Sequence, residues 1–218
     1  MVVQYLLNPY LIVLKTADDL QTITDYSESA QDGSAATDVT LSSLGTAAQG
    51  DYLYVGAYHP FRGVSVDVDA ANANASVLTV NYWNGSAWTD ITATDGTISG
   101  GASMGQDGDV TWTVPTAWAA ASLTTINSPA PASVAYRNDS RVYWTRWQFS
   151  AALDASTTLN SMLAMNRSTT YAELPSGVAW QQRCEKTPGG IGCIEAKTDA
   201  GTANLVVLVG SQRDGFVG

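Results

Sequence analysis

The chain contains few of the residue types that most often bind metals, act as nucleophiles or bind phosphate. Its 218 residues include one histidine, two cysteines and ten lysines and arginines, and charged residues make up only 14%. This count excludes metal sites built from histidine and cysteine. No Gly-rich phosphate loop followed by Lys and Ser or Thr is present. His59, the only histidine, precedes a proline and has no nucleophile motif beside it. We therefore expect no catalytic residue, no cofactor and no enzyme activity.

Basic residues are especially rare in the first half. The formal net charge is −10, and residues 1–110 contain thirteen acidic side chains against two basic ones. Residues 111–218 contain seven acidic and eight basic side chains. An acidic protein without a basic run repels phosphate backbones, so the sequence argues against a direct nucleic-acid partner.

A long uninterrupted hydrophobic run is also missing. Residues 1–15 are apolar, but Asn8-Pro9 breaks the segment and no basic stretch precedes it. This pattern is neither that of a signal peptide nor that of a membrane span, and we expect a protein made in the cytoplasm. We interpret the segment as an extended arm that packs either on its own domain or on a neighbouring subunit. The residues predicted to make assembly contacts are Tyr5, Leu6, Leu7, Tyr10 and Leu11.

The two cysteines are too few for a disulfide framework. Cys184 and Cys193 flank the turn sequence Pro188-Gly-Gly. They either face each other across a hairpin and form a disulfide, or remain reduced.

Alternating strands are what the sequence does contain. From Ser76 to Trp83, Leu78, Val80 and Tyr82 point to one side and the intervening residues to the other. Asn84-Gly85 then predicts a tight hairpin turn, after which Trp88 resumes a strand. From Asp51 onward, strands recur about every ten residues, which is typical of a sandwich or barrel. The predicted fold is an all-β antiparallel sandwich.

A second aromatic strand is predicted over residues 141–149. Val142, Trp144 and Arg146 share one face, whereas Tyr143, Thr145, Trp147 and Phe149 share the other. Arg146 is expected either at the rim of the sheet or as a cation stacked on aromatic rings. The aromatic residues predicted to fill the core are Trp83, Trp88, Trp112, Trp144 and Trp147.

The pattern of apolar and polar residues divides the chain into three predicted segments. Residues 1–50 form the arm and leading strands, 51–166 the sandwich, and 167–218 a small C-terminal antiparallel sheet with strands at 178–184, 191–197 and 203–209. A short helix is predicted at residues 115–121, because Pro115 is tolerated in the first turn of a helix.

One pair of carboxylates is a weak candidate for calcium. Asp67 and Asp69 fall on the same face of a predicted strand, about 7 Å apart. The outward polar positions of a half-buried strand account equally well for both residues. We therefore expect no metal.

The order of the strand and turn motifs in residues 51–166 resembles that of a known class of proteins. Tyr54-Val-Gly-Ala-Tyr-His-Pro-Phe61 precedes the alternating strand Val64-x-Val66-x-Val68, and Val80-Asn-Tyr-Trp-Asn-Gly85-x-x-Trp88 and Asp95-Gly96-Thr97 follow. Next come Val110-x-Trp112-x-Val114-Pro115-x-x-Trp118 and Tyr143-Trp144-x-Arg146. Residues 51–166 thus resemble jelly-roll-like β-sandwich modules in virion proteins of tailed bacteriophages, including capsid decoration and tail-associated proteins.

The resemblance implies a non-enzymatic building block of a virion, assembled in the host cytoplasm. Capsid decoration (cement) is the leading expectation and a tail or baseplate component the alternative. The implied partners are the major capsid protein or other virion proteins and further copies of the chain, as a dimer or trimer. A third reading is a glycan-binding module with Trp83, Trp88, Trp118 or Trp147 exposed as a stacking platform.

Overall fold

The alternating segments form antiparallel strands in the structure, a computed structural model. It describes residues 2–3, 10–17, 22–34, 36–42, 44–45, 50–126 and 141–166, and the backbone of strands at 172–173, 180–181, 194–198 and 205–209. The strands are β1 (Val2–Val3), β2 (Ile12–Ala17), β3 (Thr22–Asp25), β4 (Val39–Thr40), β5 (Leu53–Ala57), β6 (Phe61–Ala70), β7 (Leu78–Trp83), β8 (Trp88–Asp90), β9 (Thr94–Asp95), β10 (Gly108–Thr111), β11 (Ala120–Ala121), β12 (Val142–Phe149), β13 (Thr158–Asn166), β14 (Ala172–Glu173), β15 (Trp180–Gln181), β16 (Ile194–Thr198) and β17 (Leu205–Val209).

The helices in this part of the chain are single turns. They are α1 (Ser29–Asp32) and α2 (Leu123–Ile126). Within the described residues, no helix has the length and apolar character needed to cross a membrane.

Two sheets form an antiparallel sandwich within the unit that spans residues 7–167. The larger has strand order β3-β2-β5-β12-β7-β8, with β11 paired to β12, and the smaller has the order β4-β13-β6-β10-β9. The predicted all-β antiparallel sandwich is therefore confirmed. Strands from residues 1–50 pair with strands from residues 51–166, so the two predicted segments build one sandwich.

The sandwich interior is filled by the predicted inward faces. Leu78 and Val80 of β7, and Trp147 and Phe149 of β12, are buried in one cluster with Val64 and Val66 of β6. Apolar burial of this kind is worth roughly 25 cal/mol per Å² and dominates folding. The alternation predicted for β6, β7 and β12 is confirmed.

Four buried tryptophans also satisfy their polar atom. Each indole N–H donates a hydrogen bond, which removes the cost of burying it unpaired. The acceptors are Phe61 O for Trp112 (2.9 Å), Trp144 O for Trp118 (3.1 Å), Ala121 O for Trp144 (3.0 Å) and Thr145 Oγ1 for Trp147 (3.0 Å).

A second apolar cluster covers the outer face of the larger sheet, the face turned away from the smaller one. Its buried residues come from five strands and from α2, and are Ile12, Leu14, Ile23, Tyr54, Ala121, Leu123, Ile126, Val142 and Trp144. Segment 120–126 therefore acts as a cover for a sheet that is apolar on both faces.

The second part of the predicted N-terminal arm is a strand of the larger sheet. Residues Ile12–Ala17 form β2, which pairs with β3 on one side and β5 on the other. Leu11 and Leu14 are fully buried. Of the two alternatives for residues 1–15, packing on the chain's own domain is therefore confirmed for residues 11–14, but the description of residues 12–15 as an arm is wrong because they are hydrogen-bonded within the sheet.

The helix predicted at residues 115–121 is also wrong. Ala120–Ala121 form β11, paired with Tyr143 and Val142 of β12, and the helical turn α2 begins only at Leu123. A run of alanines favours a helix intrinsically, but here pairing with an aromatic strand overrides that preference.

Both termini contribute to a second unit, residues 1–6 and 168–218. In it, β1 pairs with β14, and β15, β16 and β17 form a three-stranded antiparallel sheet. The small C-terminal sheet is thus confirmed. Cys184 and Cys193 lie outside the described residues, so both alternatives for the cysteine pair stay open.

We predict that adding a side chain at Gly56 destabilises the protein. A Cβ at this position would lie 2.5 Å from Val142 Cγ1 and 2.6 Å from Trp144 Cε3. Gly56→Ala should therefore displace the Trp144 indole and lower the free energy of unfolding by about 1–3 kcal/mol. Urea unfolding monitored by tryptophan fluorescence measures this change.

Gly45→Ala is the matched control. A Cβ there would make only ordinary contacts, 3.5 Å from Asp51 Oδ2 and 3.9 Å from Ala152 Cβ. Equal effects of the two substitutions would contradict the close approach of Trp144 to Gly56.

Candidate functional site: a stacked arginine on the outer sheet face

Arg146 of β12 is held against aromatic rings on the outer face. Its guanidinium carbon lies 4.4 Å from the ring centre of Tyr52 and 4.9 Å from that of Trp88. Each such contact contributes roughly 0.5–2 kcal/mol, depending on how well water is excluded. Of the two alternatives left by the sequence, the structure selects the stacked cation.

Trp88 covers this part of the sheet. Its indole stacks on Tyr54 with ring centres 5.6 Å apart and 28° between the planes, and Trp83 packs edge-on against it at 5.5 Å. Strands β8 and β5 are separated by β7 and β12 in the sheet. Trp88 reaches Tyr54 only because the β7–β8 hairpin curls over the outer face.

The hairpin turn itself follows the sequence prediction. The loop from Asn84 to Ala87 joins β7 to β8, and Gly85 adopts φ +102°. The Asn84 side-chain oxygen accepts hydrogen bonds from the amides of Ser86 and Ala87, both at 2.9 Å. An asparagine that caps its own turn in this way fixes the direction in which Trp88 leaves.

A row of three polar side chains crosses the sheet beneath Trp88. Antiparallel register places Arg146 opposite Tyr54 on one side and opposite Asn81 on the other. Each has a buried polar atom without a hydrogen-bond partner, namely the Tyr54 hydroxyl, Arg146 Nε and Asn81 Nδ2. An unpaired buried donor costs about 1–3 kcal/mol, so three neighbouring ones call for an explanation. We call Tyr52, Tyr54, Asn81, Trp88 and Arg146 the stacked-arginine cluster.

The Tyr54 hydroxyl remains protonated over the physiological range. Burial raises the pKa of Tyr54 well above its usual value, and the neighbouring Arg146 opposes this rise only in part, through its positive charge and through a side-chain contact with the hydroxyl that is too poorly aligned to count as a full hydrogen bond. Tyr54 thus keeps its O–H as a potential hydrogen-bond donor next to the guanidinium.

The calcium candidates remain apart from this cluster. Asp67 and Asp69 are exposed on β6 of the smaller sheet, on a common face as predicted. Asp67 accepts a hydrogen bond from Asn160 Nδ2 (3.2 Å) and Asp69 one from Thr158 Oγ1 (3.0 Å). Among the described residues no group of three or more potential metal ligands comes together.

The predicted assembly contacts separate into different environments. Leu11 is fully buried and belongs to the core of its own chain, which corrects its assignment as a contact. Tyr10 is 45% exposed. Tyr5, Leu6 and Leu7 lie outside the described residues, so their role stays a prediction.

The hairpin tryptophans require a second correction. Trp112, Trp144 and Trp147 are buried as predicted, but Trp83 and Trp88 are only half-buried and pack against the outer cluster. Conversely, Trp118 and Trp147 are buried and offer no stacking platform. Only Trp83 and Trp88 of the four proposed platform residues retain exposed ring surface.

Three members of the cluster were not predicted from the sequence. Tyr52, Tyr54 and Asn81 had no assigned role, although Tyr52 and Tyr54 alternate on one strand in the way Trp144 and Arg146 do on another. That shared period was the available signal. It could not reveal the pairing of β5, β12 and β7, which joins residues more than 60 positions apart.

The class of protein defined so far is an antiparallel β-sandwich with a cation–aromatic cluster on its outer face. Comparison of the chain with protein-family models, with curated proteins and with solved structures finds no match.

Burial of Tyr54 predicts a pH-dependent difference from Tyr54→Phe. Because the folded-state pKa is raised, the unfolded chain loses this proton first, near pH 10. The difference in unfolding free energy should be constant below about pH 10. Above it, the unmodified chain should lose up to about 1.4 kcal/mol per pH unit relative to the variant. Urea unfolding between pH 8 and 11.5 measures the two curves.

Tyr58→Phe, at an exposed tyrosine, is the control and should parallel the unmodified chain. Parallel curves for Tyr54→Phe as well would show that Tyr54 titrates in the folded state as it does in the unfolded state.

Proposed function

We propose that this chain is a non-enzymatic structural protein of a bacteriophage virion, most specifically a capsid decoration (cement) protein that self-associates and stabilises the head shell. The order of motifs in residues 51–166 supports the virion context by resemblance. Such a protein would act by mass action, because binding only the mature shell stabilises that state.

One end of the sandwich offers a surface suited to this role. Tyr10 and Tyr58 are 45% and 50% exposed. Because Ile12 pairs with Gly56 in antiparallel register, the residues just before β2 and just after β5 lie at the same end of the sheet. Exposed tyrosines are common anchors of protein interfaces. This tyrosine end is the observation that carries the proposal.

The tyrosine end predicts a loss of assembly in Tyr58→Ser. The substitution removes exposed apolar surface without touching the core, so unfolding should change by less than about 0.5 kcal/mol. Self-association in analytical ultracentrifugation, and co-sedimentation with purified shells, should weaken about tenfold or more.

Val77→Ser is the matched control. Val77 is 59% exposed and precedes β7, at the opposite end of the sandwich from Tyr58. Equal binding by Tyr58→Ser and the unmodified chain would contradict the assembly role of this end. A deletion that tests the arm should stop at residue 9, because residues 12–17 form a central strand.

A second candidate function is glycan binding, favoured by Trp83 and Trp88, which are only partly buried. The two indoles meet edge to face on a curled edge hairpin and form a surface on which a sugar ring can stack. This site is on the outer face of the larger sheet, whereas the tyrosine end is at the termini of β2 and β5. The two functions do not compete for the same residues.

Glycan binding predicts that sugars quench tryptophan fluorescence and that the effect depends on the hairpin. Trp83→Ala should weaken binding to array-selected glycans about tenfold, since ring stacking provides much of the affinity. Tyr10→Ala, at an exposed aromatic residue before β2, which β5 and β12 separate from β7 in the sheet, should bind normally. Absence of any ligand across a broad glycan array would eliminate this candidate.

A further inference from the structure

The unpaired groups of the stacked-arginine cluster share one chemical property. The Tyr54 hydroxyl, Arg146 Nε and Asn81 Nδ2 can all donate hydrogen bonds, and they occupy adjacent positions across three strands. Tyr54 is fully buried and Asn81 is 8% exposed. The row therefore presents donors and one positive charge, which together suit an anionic acceptor.

The charge and shape of the row favour a carboxylate. A guanidinium presents its N–H groups as a fork that matches the two oxygens of a carboxylate. A carboxylate also brings a single negative charge, which one arginine neutralises. A phosphate dianion would leave excess negative charge buried in a chain whose net charge is already −10.

The surroundings of the row favour a sugar as the carrier of that carboxylate. Trp88 and Trp83 border it as partly buried residues, and the part of each indole ring that stays accessible can stack on the apolar face of a pyranose. The Trp88 strand, β8, has three residues and pairs only with β7 at the sheet edge. It is a short edge strand of the kind that opens at low cost, and its displacement would uncover the donors.

We propose that the stacked-arginine cluster binds the carboxylate of an acidic sugar residue, such as a uronic acid, while the sugar ring stacks on the Trp83–Trp88 hairpin. This assignment rests on the second candidate function and names its substrate class. Once β8 is displaced, Arg146 holds the carboxylate, Asn81 and Tyr54 donate the further hydrogen bonds, and the indole rings of the displaced hairpin stack on the sugar.

Calorimetric titration of the full chain with tetragalacturonate and with its methyl ester tests this directly. The two probes share every ring and differ in their carboxyl groups, which are charged in the acid and neutral, with an added methyl group, in the ester. The acid should bind at least about tenfold more tightly than the ester, because hydrogen bonds to charged groups contribute most. Equal binding would overturn the carboxylate assignment and leave glycan binding standing. Binding of neither probe would overturn the assignment to a uronic acid, whereas glycan binding itself is eliminated only if the broad array also yields no ligand. Equally tight binding of sulfate or of polyglutamate would overturn the assignment to a sugar.

Two variants locate the site. Arg146→Gln should weaken tetragalacturonate binding about tenfold or more, while Arg62→Gln, the same charge change in the smaller sheet, should stay within about twofold of the unmodified chain. Equal losses in the two variants would contradict a local site.

Asn81→Asp tests the row without removing the arginine. The new carboxylate would lie opposite Arg146 in the register and satisfy it internally. The variant should therefore have a higher Tm, because opposite charges on facing strands stabilise a sheet, and should lose tetragalacturonate binding about tenfold. Unchanged binding, or a lowered Tm, would overturn the proposal.

Discussion

Strand β12 imposes the main constraint on this structure, because it carries a large indole on each face. Trp147 points between the two sheets and Trp144 points outward, and both are fully buried. A central strand of this kind cannot leave either face open to water. The smaller sheet covers one face, and segment 120–126 together with the curled β7–β8 hairpin covers the other.

Several local features become intelligible from this constraint. Gly56 lies opposite Trp144, where a side chain would collide with the indole. Ala121 supplies both a pairing partner for Val142 and the carbonyl that accepts the Trp144 N–H. Asn84 fixes the turn that brings Trp88 back over the sheet. Covering one tryptophan thus determines the path of two separate chain segments.

Arg146 lies on the same outward face, two residues from Trp144. A cation at that position must be paired, stacked or exposed, since burying it alone is very costly. The chain stacks it between Tyr52 and Trp88 and leaves Nε, together with the neighbouring Asn81 and Tyr54 groups, without acceptors. Buried polar groups that the fold itself does not satisfy are a reason to assign function to this face.

The proposed assembly surface and the proposed sugar site occupy different parts of one scaffold. The tyrosine end lies at the N-terminal end of β2 and the C-terminal end of β5, whereas the stacked-arginine cluster lies in the middle of the outer face. A protein fixed to a larger particle through one end would keep the other face available. Fold class alone assigns neither role, and each depends on the residues of its own site.

The sequence by itself determined the strands β6, β7 and β12, their faces and the Asn84-Gly85 turn, because side chains alternate with period two and turn residues act through their own backbone angles. It also placed Arg146 on the face of Trp144. Only the tertiary structure decided that residues 12–17 form a central strand, that Trp88 curls over the outer face, and that Tyr54 and Asn81 flank Arg146. The physical reason is the sequence distance over which each feature is set. Alternation is a property of neighbouring residues, whereas strand order depends on burying both faces of β12 with segments that are distant in the chain.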